Sequence, residues 1–199
     1  MNHDATTAPQ HTATAVDSNP RVVLDVHHLD VDIKTERGWV NIVDGVELTI
    51  RRGETVGLVG ESGSGKTVTS LAVMQLLPPN SRVRGSISLN GREISSLSRR
   101  QLDAVRGVEM SMIFQEPRRS LNPAFTVGEQ VAESVRRHKG ASRKDAWARA
   151  VELFDLVGIP DPHRRASAYP HEFSGGMCQR VMIAVALACE PSLLIAAEP

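Results

Sequence analysis

The sequence has little that would bind it to nucleic acid or place it in a bilayer. Lysine plus arginine and aspartate plus glutamate each number 23, so the formal net charge is zero and no global positive field exists for a phosphate backbone. Aromatic residues make up only 4% of the chain. The longest apolar run, residues 181–189, falls short of the about 20 residues that span a bilayer. These absences argue against a nucleic acid partner and against a transmembrane helix.

Cysteine is also scarce, with only Cys178 and Cys189 present. If both lie on one helix, they are about 16 Å apart along its axis, whereas a disulfide needs Cα atoms within about 7 Å. We therefore expect two free thiols and a reducing compartment. A content of 41% hydrophobic and 23% charged residues is that of an ordinary soluble, intracellular globular protein.

Hydrophobic periodicity divides the chain into segments. Residues 1–20 are rich in Ala, Thr and Pro without periodicity, which predicts a disordered leader. Alternating apolar residues predict strands over 22–33 and 46–50. The apolar run 55–59 predicts a buried strand, followed by a Gly/Ser loop and a helix from 66 to about 77 that two prolines would stop. Further strands are predicted over 86–89, 110–114 and 193–196, and a further helix over 175–189.

The segment from about 116 to 172 differs in character from its surroundings. Apolar residues recur there at helical spacing, as in Val127, Val131 and Val135. This spacing predicts a helical subdomain inserted between two parts of a strand-rich core.

One motif carries most of the chemistry. Residues 60–67, GESGSGKT, fit the phosphate-loop pattern G-x-x-x-x-G-K-[ST] between a predicted strand and a predicted helix. The glycines let several backbone N–H groups face one anion, and the following helix points its positive end at that anion. Lys66 can reach the outer phosphates, and Thr67 can offer a hydroxyl to Mg²⁺. The loop alone does not choose among an ATPase, a GTPase and a kinase, although the guanine-reading pattern N-K-x-D is absent.

A second glycine-containing helix start follows at Ser174-Gly175-Gly176. It can be an anion site, or Ser174 can simply cap the helix. Taken alone, the cap is the simpler interpretation, but the phosphate loop in the same chain gives weight to the anion site.

Together these motifs resemble the ATP-binding subunits of ABC transporters, and within them those of dipeptide and oligopeptide importers. The matching stretches are GESGSGKT, MIFQEP, SLNP with FTVGEQ, YPHEFSGGM with QRVMIA, and LLIA with EP, in that order. The resemblance implies an α/β fold, a P-loop NTPase core of ABC type with an N-terminal antiparallel β subdomain and an inserted α-helical subdomain. Residues 21–199 would form this nucleotide-binding domain.

The resemblance also implies the nucleotide and metal ligands, with ATP and Mg²⁺ as cofactors. The Walker A loop would comprise Gly60, Glu61, Ser62, Gly63, Ser64, Gly65, Lys66 and Thr67. Trp39 is a candidate for the aromatic residue that stacks on adenine, although a buried hydrophobic tryptophan is an equal alternative.

Catalytic and partner-facing residues follow from the same resemblance. Gln115 matches the glutamine that contacts magnesium and the attacking water and links the core to the helical subdomain. Glu198 matches the catalytic carboxylate that polarises water. Ser174, Gly175 and Gly176 would form the signature that binds the γ-phosphate of ATP held by the partner subunit.

The implied function is ATP-driven import of peptides or similar solutes. Two ATP-binding subunits would clamp two ATP molecules head to tail and move the coupling helices of two transmembrane permease subunits. An extracytoplasmic solute-binding protein would take part indirectly. The chain would be a peripheral protein at the cytoplasmic face of the inner membrane.

Two features depart from the family pattern. Ala197 stands where the Walker B strand has an aspartate that helps to hold magnesium, and Cys178 stands where arginine is common. The family's D-loop and switch histidine lie beyond Walker B, so the sequence predicts a C-terminally incomplete domain. Three alternatives stay open: a nucleotide-binding module without turnover, a soluble ABC protein of DNA repair or translation, and a fragment with no activity of its own.

Overall fold

The computed structural model describes residues 21–197. The predicted leader, residues 1–20, lies outside these residues, as do Glu198 and Pro199.

The N-terminal half of the described chain builds an antiparallel sheet. Its strands are β1 (Val22–Thr35), β2 (Gly38–Arg51), β3 (Ser81–Leu89) and β4 (Arg92–Glu93), in the order β2-β1-β3-β4. Alternation along β1 turns Leu24, Val26, Leu29 and Val31 into the core and leaves the polar residues on the outer face. The strands predicted from this alternation are therefore confirmed.

The strand predicted over 55–59 is wrong. The structure assigns no strand to this segment, and Val59 is 97% exposed. Within residues 21–197, no strand pairs with this segment, so its apolar residues are not part of a hydrogen-bonded sheet.

The helix after the glycine loop is shorter than predicted. Helix α1 spans Lys66–Val73 and ends well before the prolines. Gln75 takes a left-handed conformation with φ 54°. The Gln75 N–H donates to Ala72 O and the Leu76 N–H donates to Leu71 O, which closes the helix as a Schellman motif. The two prolines are therefore not what stops this helix.

A short parallel sheet lies next to α1. Helix α2 (Arg99–Val105) leads into β5 (Met110–Ile113), which is buried along its whole length. β5 pairs in parallel with β6 (Leu193–Ala196) over the full length of both strands. Because the two strands are parallel, their carboxyl ends meet at one edge.

Helices fill the chain between β5 and β6. They are α3 (Pro117–Ser120), α4 (Val127–Lys139), α5 (Arg143–Leu156), α6 (Pro162–Arg165) and α7 (Gly175–Leu187). Thr126 and Ser142 cap α4 and α5 by accepting the N–H groups of Glu129 and Asp145. Within residues 21–197, no helix is long and apolar enough to cross a bilayer.

Residues 21–197 form two large apolar cores and one small cluster. The sheet lobe, made of β1–β6 with α1 and α2, buries one cluster of apolar residues, and the helical lobe, made of α3–α7, buries another. A small third cluster of Ile113, Met182 and Ala186 joins β5 to α7. Cys178 and Cys189 are free thiols buried in the helical core, as predicted.

Candidate functional site

The glycine loop before α1 has a backbone that only glycine adopts easily. Gly63 and Gly65 have φ angles of 82° and 85°. A Cβ on Gly65 would lie 3.0 Å from the carbonyl oxygen of Ile42 and 3.3 Å from Cγ2 of Val43. The loop therefore depends both on its own glycines and on the close approach of β2.

Lys66 folds back over this loop. Its Nζ donates to the carbonyl oxygens of Gly60 and Glu61, both at 2.8 Å, and lies 3.4 Å from Ser64 Oγ. These bonds hold the ammonium group against the loop, so an anion seated on the loop would meet this charge.

The first turn of α1 supplies the remaining donors. Its N-cap is Gly65, which has no side chain to accept a hydrogen bond from the first turn. The turn contains no acidic residue that would compete with an anion. Thr67, the second residue of the helix, is exposed. This end of α1 therefore offers backbone N–H groups, a positive helix end and a hydroxyl.

The carboxyl edge of the parallel sheet lies beside the same helix end. Gln115 follows β5 and is exposed, and Ala197 follows β6, where its N–H donates to Ile113 O at 3.0 Å. A cavity of about 380 Å³ brings Ala197 together with Lys66 and Thr67. Gln115 is not among the residues that line it. Glu198 comes next in the chain but lies outside the described residues, so its catalytic role stays a prediction.

The residues at this edge fit magnesium only in part. Thr67 provides a hydroxyl, which suits the preference of Mg²⁺ for oxygen. The methyl group of Ala197 provides no oxygen at the neighbouring position. Among residues 21–197, no group of three His, Cys, Asp or Glu side chains could hold a metal ion. An ion here would depend on Thr67, on water and on the phosphates it accompanies.

The start of α7 is a capped helix end in the helical lobe. Ser174 Oγ accepts the N–H of Met177 at 3.3 Å, as the simpler interpretation predicted. Gly175 and Gly176 are exposed, and no heavy atom lies within 4 Å of where either Cβ would be. None of these three residues lines the cavity at α1. Their role toward a partner's ATP stays a prediction.

Trp39 lies on β2 near the hairpin turn. It is 41% exposed, and the guanidinium carbon of Arg82 sits 3.8 Å from its ring centre. The ring does not line the cavity, although Ile42, three residues further along the strand, touches the loop. Trp39 is therefore not a buried tryptophan, and adenine stacking stays a prediction.

Three groups on the outer face of the antiparallel sheet, away from the loop, shift one another's pKa values. Hydrogen bonds to Asp25 and Glu47 raise the pKa of His27. Bonds from Thr49 and His27 lower the pKa of Asp25, and the backbone N–H of His28 is the main cause that lowers the pKa of Glu47. All three groups face solvent, so they belong to the sheet surface rather than to a reaction centre.

The residues that hold α1 in place carry no signal in the sequence. Ile42 and Val43 of β2 bound the space beside Gly65, and Arg106, at the end of α2, binds the other end of the helix. These contacts join segments far apart in the chain, and no local pattern marks them.

Comparison with known proteins agrees with these motifs. The family model described as ABC transporter matches residues 43–199. The oligopeptide transport ATP-binding protein OppD of Salmonella typhimurium is 50% identical over 188 residues, covering 94% of this chain and 56% of that protein. OppD of Bacillus subtilis is 50% identical over 179 residues, covering 89% of this chain and 50% of that protein. The chain thus spans about half the length of the curated relatives it matches.

The fold also has solved counterparts. A dimeric structure of the ATP-binding cassette MJ0796, in a post-hydrolysis state bound to ADP and Pi, superposes with a TM-score of 0.77 at 27% identity. The match covers 87% of this chain and 72% of that one. A second structure, described as a dimeric bacterial ABC transporter cassette, matches equally well. The predicted fold class is therefore confirmed.

Proposed function

This chain belongs to the ABC transporter family, and from that premise we propose that it is the ATP-binding subunit of an importer for peptides or similar solutes. The observation that carries the proposal is one cavity that is lined by Lys66 and Thr67 at the start of α1, directly after the glycine loop, and by β6 and Ala197 at the end of the parallel sheet. Phosphate-binding sites in parallel α/β folds occupy this position.

In this proposal each residue of the loop acts on the nucleotide. Backbone N–H groups of the loop and of the first turn of α1 hold the phosphates. Lys66 exchanges its bonds to Gly60 O and Glu61 O for the charge of the outer phosphates. Thr67 would hold Mg²⁺, which neutralises phosphate charge when bound. Gln115 and Glu198 would orient and polarise the attacking water.

The partners follow from the family and from the matched dimeric cassettes. A second ATP-binding subunit, identical or related, would present its Ser174-Gly175-Gly176 counterpart to the ATP held on this loop. Two transmembrane permease subunits, and indirectly an extracytoplasmic solute-binding protein, would complete the importer. We place the subunit at the cytoplasmic face of the inner membrane. Support comes from the peptide-import names of the relatives and from the dimeric form of the structural neighbours.

We further propose that residues from about 116 to 172 act as the helical subdomain that transmits closure to the permeases. Their apolar core, which they share with α7, is separate from the core of the sheet lobe, and this supports movement of the helices as a unit. The subdomain would carry the signature toward the partner's nucleotide when the dimer closes.

A second candidate is a nucleotide-binding module that does not turn ATP over. Ala197 favours it, because the position beside Thr67 offers no oxygen to a magnesium-bound water. The two candidates share ATP binding and differ in turnover. Phosphate release by the purified protein in the presence of its partner subunits separates them.

ATP binding itself is tested by Lys66→Ala. Removing a charge-assisted contact of about 1.5–3 kcal/mol should weaken the binding of a fluorescent ATP analogue about tenfold or more. Lys144→Ala is the control, because Lys144 is an exposed lysine on α5 in the helical lobe. Equal affinity of the Lys66 variant and the parent would refute the assignment of the loop.

A further inference from the structure

The C-terminal end of α1 lies opposite the phosphate loop, and its carbonyl groups need partners. The Schellman bonds of Gln75 and Leu76 satisfy the carbonyls of Ala72 and Leu71. The last turn of α1 contains no basic residue that could balance the negative end of the helix. A side-chain cation that binds this end therefore comes from another element.

Arg106, the residue that ends α2, supplies this cation. Its Nε donates to Met74 O at 2.9 Å, and its Nη2 donates to Gln75 O. The planar guanidinium presents its donors as a fixed fork, so it serves both carbonyls at once. The second bond also holds Gln75, a residue whose left-handed φ of 54° is one that side chains rarely adopt.

The Arg106 side chain is largely buried. It is only 20% exposed, and burial lowers the pKa of its guanidinium from the usual value, although the group stays charged. The carboxylate of Asp103, 3.8 Å from Nη1, opposes this shift. Since the charge is kept despite partial burial, its bonds to the two carbonyls are strong ones.

The position of α1 decides the shape of the loop at its other end. The helix has eight residues and is about 12 Å long, so a tilt at one end moves the other end as well. At the loop there is little room, because even a methyl group on Gly65 would lie 3.0 Å from Ile42 O and 3.3 Å from Val43 Cγ2. A displacement of Met74 and Gln75 would therefore also displace the N–H groups at the start of α1 that we propose bind phosphate.

We propose that Arg106 is a positioning residue for the nucleotide site: by binding Met74 O and Gln75 O it fixes α1 so that the loop is already shaped for phosphate. This inference rests on the proposed ATP-binding function. Arg106 does not touch the loop, and its effect passes through the body of the helix.

The test uses two Arg106 variants and a matched arginine. Arg106→Gln removes the charge and the fork, whereas Arg106→Lys keeps the charge without the fork. Arg180→Gln is the control, because Arg180 also donates to two backbone carbonyls at a helix end, those of Val157 and Gly158 after α5. The affinity for a fluorescent ATP analogue is measured on folded protein, well below each variant's melting temperature. We expect about tenfold weaker binding for Arg106→Gln, an intermediate value for Arg106→Lys and the parent value for Arg180→Gln.

Hydrogen exchange without nucleotide gives a second, independent readout. The amides of α1 should exchange faster in Arg106→Gln than in the parent, and at the parent rate in Arg180→Gln. Unchanged α1 exchange, or equal ATP affinity in Arg106→Gln and the parent, would overturn the inference. An equal loss of ATP affinity in Arg180→Gln would also overturn the inference, because it would indicate a general loosening of the protein. If the parent bound no ATP, the proposed function would fall, while the exchange measurement would still decide the role of Arg106.

Discussion

The starts of α1 and α7 look alike in sequence and differ in structure. Each has glycines and serines immediately before or within its first turn. At α1 the N-cap is Gly65, with a φ of 85° and no side chain to cap the turn. At α7 the N-cap is Ser174, with a φ of −66° and a hydroxyl that accepts the Met177 N–H.

The difference shows which glycines the chain needs for itself. Gly65 is required by its own backbone angle and by the approach of Ile42. Gly175 and Gly176 have neither a left-handed backbone nor a neighbour within 4 Å of a Cβ position. Glycine at α7 is thus not demanded by this chain's packing, which fits a surface that something outside the chain approaches closely.

The sharpest way to break this comparison is Gly175→Asp. A carboxylate at the start of α7 would face the γ-phosphate on the partner, and like charges at short range should weaken ATP-driven dimerisation about 100-fold or more. ATP binding by the single chain should be unchanged, because Gly175 does not line the cavity at α1. Light scattering measures dimer formation, with Gly175→Ala as the uncharged control. Normal dimerisation of the Asp variant would contradict the head-to-tail arrangement.

Alanine at both helix starts compares their structural need for glycine directly. Gly65→Ala should lower the free energy of unfolding by about 2–4 kcal/mol, because it combines a left-handed backbone with a contact against Ile42 O. Gly175→Ala should change it by no more than about 0.5 kcal/mol. Urea unfolding of the two variants and the parent measures these changes in the free energy of unfolding. Similar losses at both positions would remove the distinction drawn between the two helix starts.

Ala197→Asp sharpens the α1 side of the comparison. The new carboxylate, in the cavity that contains Thr67, would give magnesium an oxygen ligand beside the phosphates. Mg²⁺ should then raise ATP affinity about tenfold more in the variant than in the parent. Titration calorimetry with and without Mg²⁺ measures this difference. Ala197→Asn, which supplies an uncharged amide oxygen, should give a smaller rise than Ala197→Asp, and Ala197→Val, which supplies no oxygen, should behave like the parent. An equal response of all four proteins would contradict the account of the metal site.

The smallest effect lies away from both helix starts, at His27. Its pKa is raised above 6.5, so its contribution to stability is present below that value and is lost as the pH rises through the folded-state pKa. The pKa values of Asp25 and Glu47 are lowered from 3.8 and 4.5, so their contribution is present above those values and is lost on acidification. The cluster therefore stabilises most between about pH 4.5 and 6.5.

His27→Gln should reduce the fall in melting temperature between about pH 6 and pH 8, by a small amount because the groups are exposed. ATP affinity should stay at the parent value, since His27 lies on the outer sheet face. A pH profile identical to that of the parent would show that the cluster contributes nothing measurable.

Local patterns predicted much of this molecule. The spacing of residues 60–67 predicted the loop, because glycines, lysine and threonine act there through backbone geometry within eight residues. The alternation of apolar and polar residues predicted β1, since one face of the sheet is buried and the other faces solvent. Helical spacing predicted α4 in the same way.

Prediction failed where contacts with other segments of the chain determine the local structure. The run 55–59 has the composition of a buried strand, but a strand also needs a neighbour, and residues 21–197 supply none. The end of α1 was placed at the prolines, whereas the left-handed Gln75 ends it earlier. The hydrogen bonds from Arg106 that support this end join α2 to α1, and the periodicity of apolar residues does not indicate them.

The parallel pairing of β5 with β6 has a consequence for how the chain folds as it is synthesised. The two strands are about 80 residues apart, and the whole helical lobe lies between them. The ribosome therefore releases the helical lobe before β6, and its neighbouring helices can assemble through short-range contacts. Closing the ladder from Met110 to Leu193 must wait for the later segment, so the carboxyl edge at which Ala197 lies is completed after the helices. This edge of the parallel sheet is thus the late part of a molecule whose helical half can fold early.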